Sequence, residues 1–78
     1  MFPELTNREN DVLEQIAYGF TNREISDNLS ISESTVENHI HHIYTKLGIS
    51  NRTQAVVYAI QSKIIYFSEM IENRGNPS

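Results

Sequence analysis

The chain has 78 residues, no cysteine and a formal net charge of −4. This length supports one small hydrophobic core, and the lack of cysteine excludes disulfides, thiolate metal sites and a cysteine nucleophile. With 38% hydrophobic residues, no long apolar run and no positively charged start, the composition predicts one compact, cytoplasmic domain without a membrane span or secretion signal.

A capping box marks the start of the first predicted helix. In Thr6-Asn7-Arg8-Glu9 the threonine hydroxyl and the glutamate carboxylate satisfy backbone N–H groups that a helix start leaves unpaired. Gly19 is placed to take the left-handed conformation that ends a helix, so we expect this helix over about residues 7–18. Its apolar residues recur at helical spacing and are Val12, Leu13, Ile16, Ala17 and Phe20.

The same signal repeats at Thr21-Asn22-Arg23-Glu24, where Phe20 and Ile25 stand at the two positions of a hydrophobic staple. It predicts a short second helix over about residues 22–28. Ser32 is a natural N-cap for the next helix. Only a three- or four-residue turn is therefore expected between the second and third helices.

The third predicted helix covers residues 33–47 and has one apolar and one polar face. Its apolar stripe, which we expect to be buried, consists of Val36, Ile40, Ile43 and Leu47. The opposite face carries small polar groups at the same spacing, namely Ser34, Asn38, His41 and Thr45. Gly48 is expected to close this helix.

A fourth predicted helix is capped by Ser50 or Asn51 and reaches at least Gln61. Its apolar face consists of Ala55, Val56, Ala59, Ile60 and Ile64. Apolar residues continue beyond it, more than so small a domain can bury, so part of this surface is expected to meet a partner. Residues 1–72 are assigned to the domain, and residues 73–78, which include no apolar side chain, to a disordered tail.

Two short helices joined by a tight turn, with small polar groups on the front of the second, are typical of a helix-turn-helix. A helix that enters the DNA major groove presents short hydrogen-bonding side chains to base edges. The net charge argues against DNA, because lysine and arginine supply most of the attraction to phosphates. The acidic excess lies elsewhere, however: residues 1–20 carry −3, residues 64–78 carry −1, and residues 21–63 are neutral.

Two motifs, Leu5-Thr6-x-Arg8-Glu9-x-x-Val12-Leu13 and Gly19-x-Thr21-Asn22-x-Glu24-Ile25, resemble the start of a LuxR-type DNA-binding domain of the FixJ, NarL and GerE kind. Two more continue the pattern without insertion or deletion: Leu29-x-Ile31-Ser32-Glu33-x-Thr35-Val36-x-x-His39-Ile40 and Ile43-x-x-Lys46-Leu47-Gly48-x-x-Asn51-Arg52-Thr53-x-Ala55-Val56. The resemblance covers about residues 4–62. It implies an all-α, four-helix domain of a transcription regulator, in which helices two and three form the helix-turn-helix and helix four dimerises.

The resemblance also implies roles for single residues. The positions from which such domains reach bases or nearby phosphates are occupied by Thr35, Glu37, Asn38 and His41. The positions that touch the phosphate backbone are occupied by Thr21, Asn22, Lys46 and Arg52. Apart from the resemblance, the small side chains of Ala55 and Ala59 permit close approach, and with the apolar Ile64 and Phe67 they predict the dimer contact. Glu37 departs from the family pattern, since many relatives carry lysine or arginine there, and its carboxylate either accepts from cytosine N4 or repels phosphates.

Other readings of the same residues stay open or are disfavoured. Arg52 either contacts a phosphate or only bridges within the fold. His39, His41 and His42 lack a fourth ligand and face different sides of their helix, so no metal or other cofactor is expected. Four small packed helices leave little room for a cleft, so neither catalytic residues nor enzyme activity are expected.

Double-stranded DNA and a second copy of the chain, bound to inverted half-sites, are the expected partners, with RNA polymerase as a further candidate and no membrane. The alternative from another functional class is a helix-turn-helix that has lost DNA affinity and serves as a protein-interaction module. The net charge and Glu37 both permit it.

Overall fold

The computed structural model describes residues 4–62, which form four α-helices and no strand. Helix α1 spans Asn7–Ala17, α2 spans Asn22–Leu29, α3 spans Glu33–Leu47 and α4 spans Arg52–Gln61. The all-α prediction is confirmed for this range, and each helix end lies within one residue of its expected position. Ile64, Phe67 and the tail assigned to residues 73–78 lie outside the described residues. None of the four helices is long and apolar enough to cross a membrane.

Side-chain caps start all four helices. At α1 the Oγ1 of Thr6 accepts from the backbone N–H of Glu9 at 3.1 Å, and the Oε1 of Glu9 accepts from the backbone N–H of Thr6 at 3.0 Å. The same reciprocal pair forms at the start of α2, and Ser32 caps α3. Asn51, rather than Ser50, caps α4. The N-cap residues predicted from the sequence therefore determine where the helices begin.

Three of the four helices are followed by a residue in the left-handed backbone conformation. Gly19 has φ +92° after α1 and Gly48 has φ +67° after α3, as the sequence predicted. Ser30 also takes the left-handed conformation, with φ +58°, and it ends α2 inside the helix-turn-helix. Residues other than glycine and asparagine rarely adopt the left-handed conformation, because their Cβ atom crowds the backbone. The left-handed conformation of Ser30 was therefore not predictable from the sequence.

Helix α1 lies at the centre of the packing, against α3 and α4, while α2 packs mainly on α3. The buried core consists of Leu5, Val12, Leu13, Ile16, Ala17, Ile25, Val36, Ile40, Ile43, Leu47, Ala55 and Ala59. These residues include the whole predicted stripe of α3. The core therefore holds α3 from behind and leaves its polar face outward.

Two expectations about apolar residues need correction. Phe20 was assigned to the apolar face of the first helix, but α1 ends at Ala17 and the turn carries Phe20 out to 37% exposure. Ala55 and Ala59 were assigned to the dimer interface, but both are fully buried in the core on the side of α4 that packs on α1. A side chain with no accessible surface offers nothing to a second copy. These two alanines are therefore core residues.

Candidate nucleic-acid interface

The outward face of α3 is a row of exposed polar side chains. Glu37, Asn38 and His41 are exposed, as are Ser34 and Thr45 on the neighbouring turns. Within residues 4–62, the side chains of Glu37 and Asn38 make no hydrogen bond or ion pair. Donors and acceptors on this face are thus available to an external partner.

Thr35 differs from the other three predicted base-reading residues. It is half-buried, and its Oγ1 lies 2.9 Å from the Oγ of Ser32, the N-cap of α3. The backbone N–H of Thr35 donates to the same Ser32 oxygen at 3.1 Å. Thr35 therefore belongs to the cap of α3, at the end of the helix where the exposed row begins.

Three of the four predicted phosphate-contact residues come together at the start of α2. Thr21 is the N-cap, Asn22 is the first helical residue, and the Nη1 of Arg52 donates to the Oδ1 of Asn22 at 2.7 Å. The Nη2 of Arg52 also donates to the carbonyl oxygen of Phe20, at 2.6 Å. Arg52 thus joins the start of α4 to the start of α2.

The fourth predicted phosphate contact, Lys46, lies in the last turn of α3 and is held by α1. Its Nζ donates to the Oε1 of Glu9 at 2.7 Å, and the Nδ1 of His42 lies 3.8 Å from the Oε2 of the same carboxylate. The side chain of Glu9 is only 4% exposed, whereas that of Lys46 is 37% exposed. The ammonium therefore neutralises a buried carboxylate and still keeps two N–H groups and access to solvent.

The environment of Glu9 keeps its carboxyl ionised. Burial by itself raises the pKa of Glu9. The hydrogen bonds from Lys46 and from the backbone of Thr6, together with the charges of Lys46 and His42, outweigh burial and hold this pKa below its ordinary value. Glu9 thus serves two elements, as the cap of α1 and as the anchor of α3.

Arg23 is a cation that the sequence analysis did not assign to the interface. It is exposed in the first turn of α2, directly after Asn22, and has no ion-pair partner within residues 4–62. Its position beside Asn22, a predicted phosphate contact, could have indicated a role at the interface. Its spacing from Asp27, four residues later, indicated an ion pair within the helix instead.

Two features of the described residues concern metal binding and the surface of α4. Among residues 4–62, no three histidine, aspartate or glutamate side chains are grouped so that they could hold a metal ion. An open groove of about 250 Å³ runs along α4, lined by Ile49, Thr53, Gln54, Val57, Tyr58 and Gln61. Val57 is 47% exposed there. This groove carries no paired carboxylates and no nucleophile with a base, so its chemistry suits an apolar contact.

Comparisons with known proteins agree with this arrangement. The sequence profile of GerE, described as bacterial regulatory proteins of the luxR family, matches residues 3–59. The chain is 50% identical over 60 residues to the transcriptional regulatory protein YxjL of Bacillus subtilis (strain 168). It is 42% identical over 66 residues to the oxygen regulatory protein NreC of Staphylococcus aureus (strain JH9).

These two alignments cover 77% and 85% of this chain but only 28% and 30% of the two relatives, so the chain spans less than a third of their length. The backbone is similar to the crystal structure of response regulator ChrA from a heme-sensing two-component system, with a TM-score of 0.73 and 42% identity. That match covers 83% of this chain and 32% of the ChrA chain. The likeness therefore extends from the sequence motifs to the packing of the helices.

Proposed function

The chain belongs to the luxR family of bacterial regulatory proteins, and from that premise we propose that it binds double-stranded DNA within a transcription regulator, with α3 in the major groove. The observation that carries this proposal is the division of α3 into a buried apolar stripe and an exposed polar face. A groove-reading helix needs both, because one face must be fixed by the core while the other reaches base edges. Such a role belongs in the bacterial cytoplasm.

Base reading is assigned to the exposed row on α3 and to its cap. The amide of Asn38 suits adenine, to which it donates and accepts at once, and the carboxylate of Glu37 suits the amino group of cytosine. His41 lies one turn beyond both and extends the contact along the groove. Thr35, whose Oγ1 lies 2.9 Å from the Oγ of Ser32 at the cap of α3, is assigned to the phosphate or base at the edge of the groove.

Phosphate contacts are assigned to the two anchored ends of the helix-turn-helix. Thr21, Asn22 and Arg52 flank the start of α2, and Lys46 lies in the last turn of α3. Arg23 adds a cation to the first of these groups. With so few cations in each chain, the affinity should depend on salt less steeply than it does for strongly basic DNA-binding domains.

Dimerisation is assigned to the outer face of α4 and to the apolar residues that follow it in sequence. The groove lined by Thr53, Val57 and Gln61 offers an apolar contact on this face. Ile64 and Phe67, beyond the described residues, stay assigned to the same interface. A two-fold dimer then requires inverted half-sites about 10 base pairs apart. RNA polymerase is a further proposed partner.

Selection of bound sequences from a random duplex pool tests the function directly. The selected site is then compared with a scrambled duplex by fluorescence anisotropy at two salt concentrations. We expect an inverted repeat and an affinity for it at least about a thousandfold above that for the scrambled duplex. An unenriched pool, with no preference between the two duplexes, would contradict DNA recognition and favour a protein-interaction module.

A further inference from the structure

Arg52 fixes the start of the helix-turn-helix through two hydrogen bonds. Its two terminal nitrogens donate to the Oδ1 of Asn22 and to the carbonyl oxygen of Phe20, at 2.7 Å and 2.6 Å. These two acceptors lie on either side of Thr21, the N-cap of α2. One planar guanidinium therefore fixes both the backbone before the cap and the side chain after it.

The contact determines how the amide of Asn22 is turned. A guanidinium has only N–H donors, so the part of the amide that meets Arg52 must be the oxygen. The Nδ2 group then points away from Arg52, and no atom within residues 4–62 accepts a hydrogen bond from it. Asn22 is half-buried, and no buried side-chain nitrogen or oxygen within residues 4–62 lacks a hydrogen-bond partner, so the unpartnered Nδ2 retains accessible surface.

Thr21, the N-cap beside Asn22, already makes both hydrogen bonds of its capping box. The backbone N–H of Thr21 donates to the Oε1 of Glu24 at 2.8 Å, and the Oγ1 of Thr21 accepts from the backbone N–H of Glu24 at 3.1 Å. A phosphate oxygen can only accept hydrogen bonds, so it needs donors. The two N–H donors of the Asn22 side chain remain available for that purpose.

We propose that Arg52 is a positioning residue for DNA binding: by holding the Oδ1 of Asn22, it turns the Nδ2 of Asn22 toward a backbone phosphate. Asn22 then makes the contact and Arg52 acts through it. This inference rests on the proposed function, since it requires the start of α2 to face DNA. It deepens that function by giving different roles to two residues that the family pattern treats alike.

The first test replaces the donor and keeps the acceptor. Asn22→Asp still accepts from Arg52, now through a charge-assisted bond, and it places an acidic residue in the first turn of α2. The variant should therefore be at least as stable as wild type in urea denaturation. Its affinity for both the selected and the scrambled duplex should fall by about tenfold, because an oxygen replaces the N–H donors.

Asn28→Asp is the matched control. It makes the same change of charge in the same helix, at an exposed amide whose Nδ2 donates to the Oε1 of Gln15. It reports the effect of one added negative charge, which should be well below the loss seen in Asn22→Asp. Equal losses in the two variants would overturn the contact by Asn22.

The second test separates a positioning role from a direct contact by Arg52. Arg52→Lys keeps the positive charge but not the planar fork that spans two acceptors. We expect Arg52→Lys to weaken binding several-fold in the wild-type background and to cause no further loss in an Asn22→Ala background. Such non-additivity is the mark of two residues acting through one contact.

Three results would overturn the inference: wild-type affinity in Arg52→Lys, the same loss in both backgrounds, or unchanged affinity in Asn22→Asp. Each presupposes that the wild-type chain binds the duplex. Failure of the wild-type chain to bind would instead refute the proposed function, so the two failures are distinguishable. Denaturation of each variant establishes that it is folded.

Discussion

Breaking the ion pair between Lys46 and Glu9 should lower the stability of the fold, even though one of its members is partly exposed. Lys46→Met keeps the aliphatic stem and removes the ammonium that lies 2.7 Å from the Oε1 of Glu9. The carboxylate, with its side chain only 4% exposed, is then left without its main charge partner. Removing one member of a fully buried pair costs about 3–5 kcal/mol. Because 37% of Lys46 is exposed and water screens that part, we expect a loss of about 1–3 kcal/mol in the free energy of unfolding.

A double-mutant cycle measured by urea denaturation isolates this interaction. Glu9→Gln keeps a capping-box residue at the start of α1, since glutamine also accepts from the N-cap backbone, and removes the negative charge. The double variant contains no unpaired buried charge. It should therefore be more stable than the sum of the single losses implies, with a coupling energy of about 1–2 kcal/mol. Arg8→Met and Asp11→Asn form the control cycle, because that pair is exposed and 3.9 Å apart, and its coupling should stay below about 0.5 kcal/mol.

The pH dependence gives an independent check. The pKa of Glu9 is lowered in the folded chain, so its ionised form adds stability that is complete above the pKa of the unfolded chain. That contribution disappears as the pH falls through the lowered pKa of the folded state. The stability difference between wild type and Lys46→Met should therefore shrink on acidification. A coupling energy no larger than that of the exposed control, or a difference independent of pH in the acidic range, would refute this account.

Three further outcomes are expected. Asn38→Ala should cost about 1–3 kcal/mol of binding to the selected duplex and little to a scrambled one, and equal losses in anisotropy titrations would contradict base reading. Glu37→Lys should strengthen binding to any duplex, most at low salt, because it replaces a carboxylate near the phosphates by an ammonium, and an unchanged salt dependence would contradict that location. Ser30→Gly should raise the free energy of unfolding by about 0.5–1 kcal/mol, since glycine adopts φ +58° without a Cβ penalty, whereas Ser34→Gly, inside α3, should lower it. Thermal denaturation of the two glycine variants checks that last pair of expectations.

Local signals explain why so much of this fold was predictable from the sequence. Each threonine or serine cap encodes a helix start within four residues of chain, and the stripe of α3 needs only the helical period. The caps and the stripe both depend on residues that are close in sequence, so the packing of the whole domain did not change these two predictions. The turn at Ser30 was not predictable in the same way, because the strain of a left-handed serine is tolerated only when the helices on either side fix the backbone.

Residue size alone did not identify which helix contacts α4. The small side chains of Ala55 and Ala59 indicate that a neighbour approaches α4 closely, and a second copy of the chain was the neighbour expected from the sequence. In the structure the neighbour is α1. A small side chain permits close approach without specifying the partner, so only the packing of the whole domain resolves the question. Val57, on another side of the same helix, is 47% exposed, which supports the proposal that a second copy contacts α4 there.

The contacts of the cations bear on how a chain of net charge −4 can bind DNA. Lys46 and Arg52 lie at opposite ends of the helix-turn-helix, and each is bonded to a residue 37 or 30 positions away in sequence. Lys46 holds α3 on α1, and Arg52 holds the start of α2 on α4. With few positive charges, we expect the affinity to rest on groups already fixed in position, because each ordered side chain then loses little entropy on binding. If the proposed interface is right, the same contacts stabilise the fold and preorganise that interface. We therefore expect variants at Lys46 to lose stability and DNA affinity together, and variants at Asn38 to lose affinity alone.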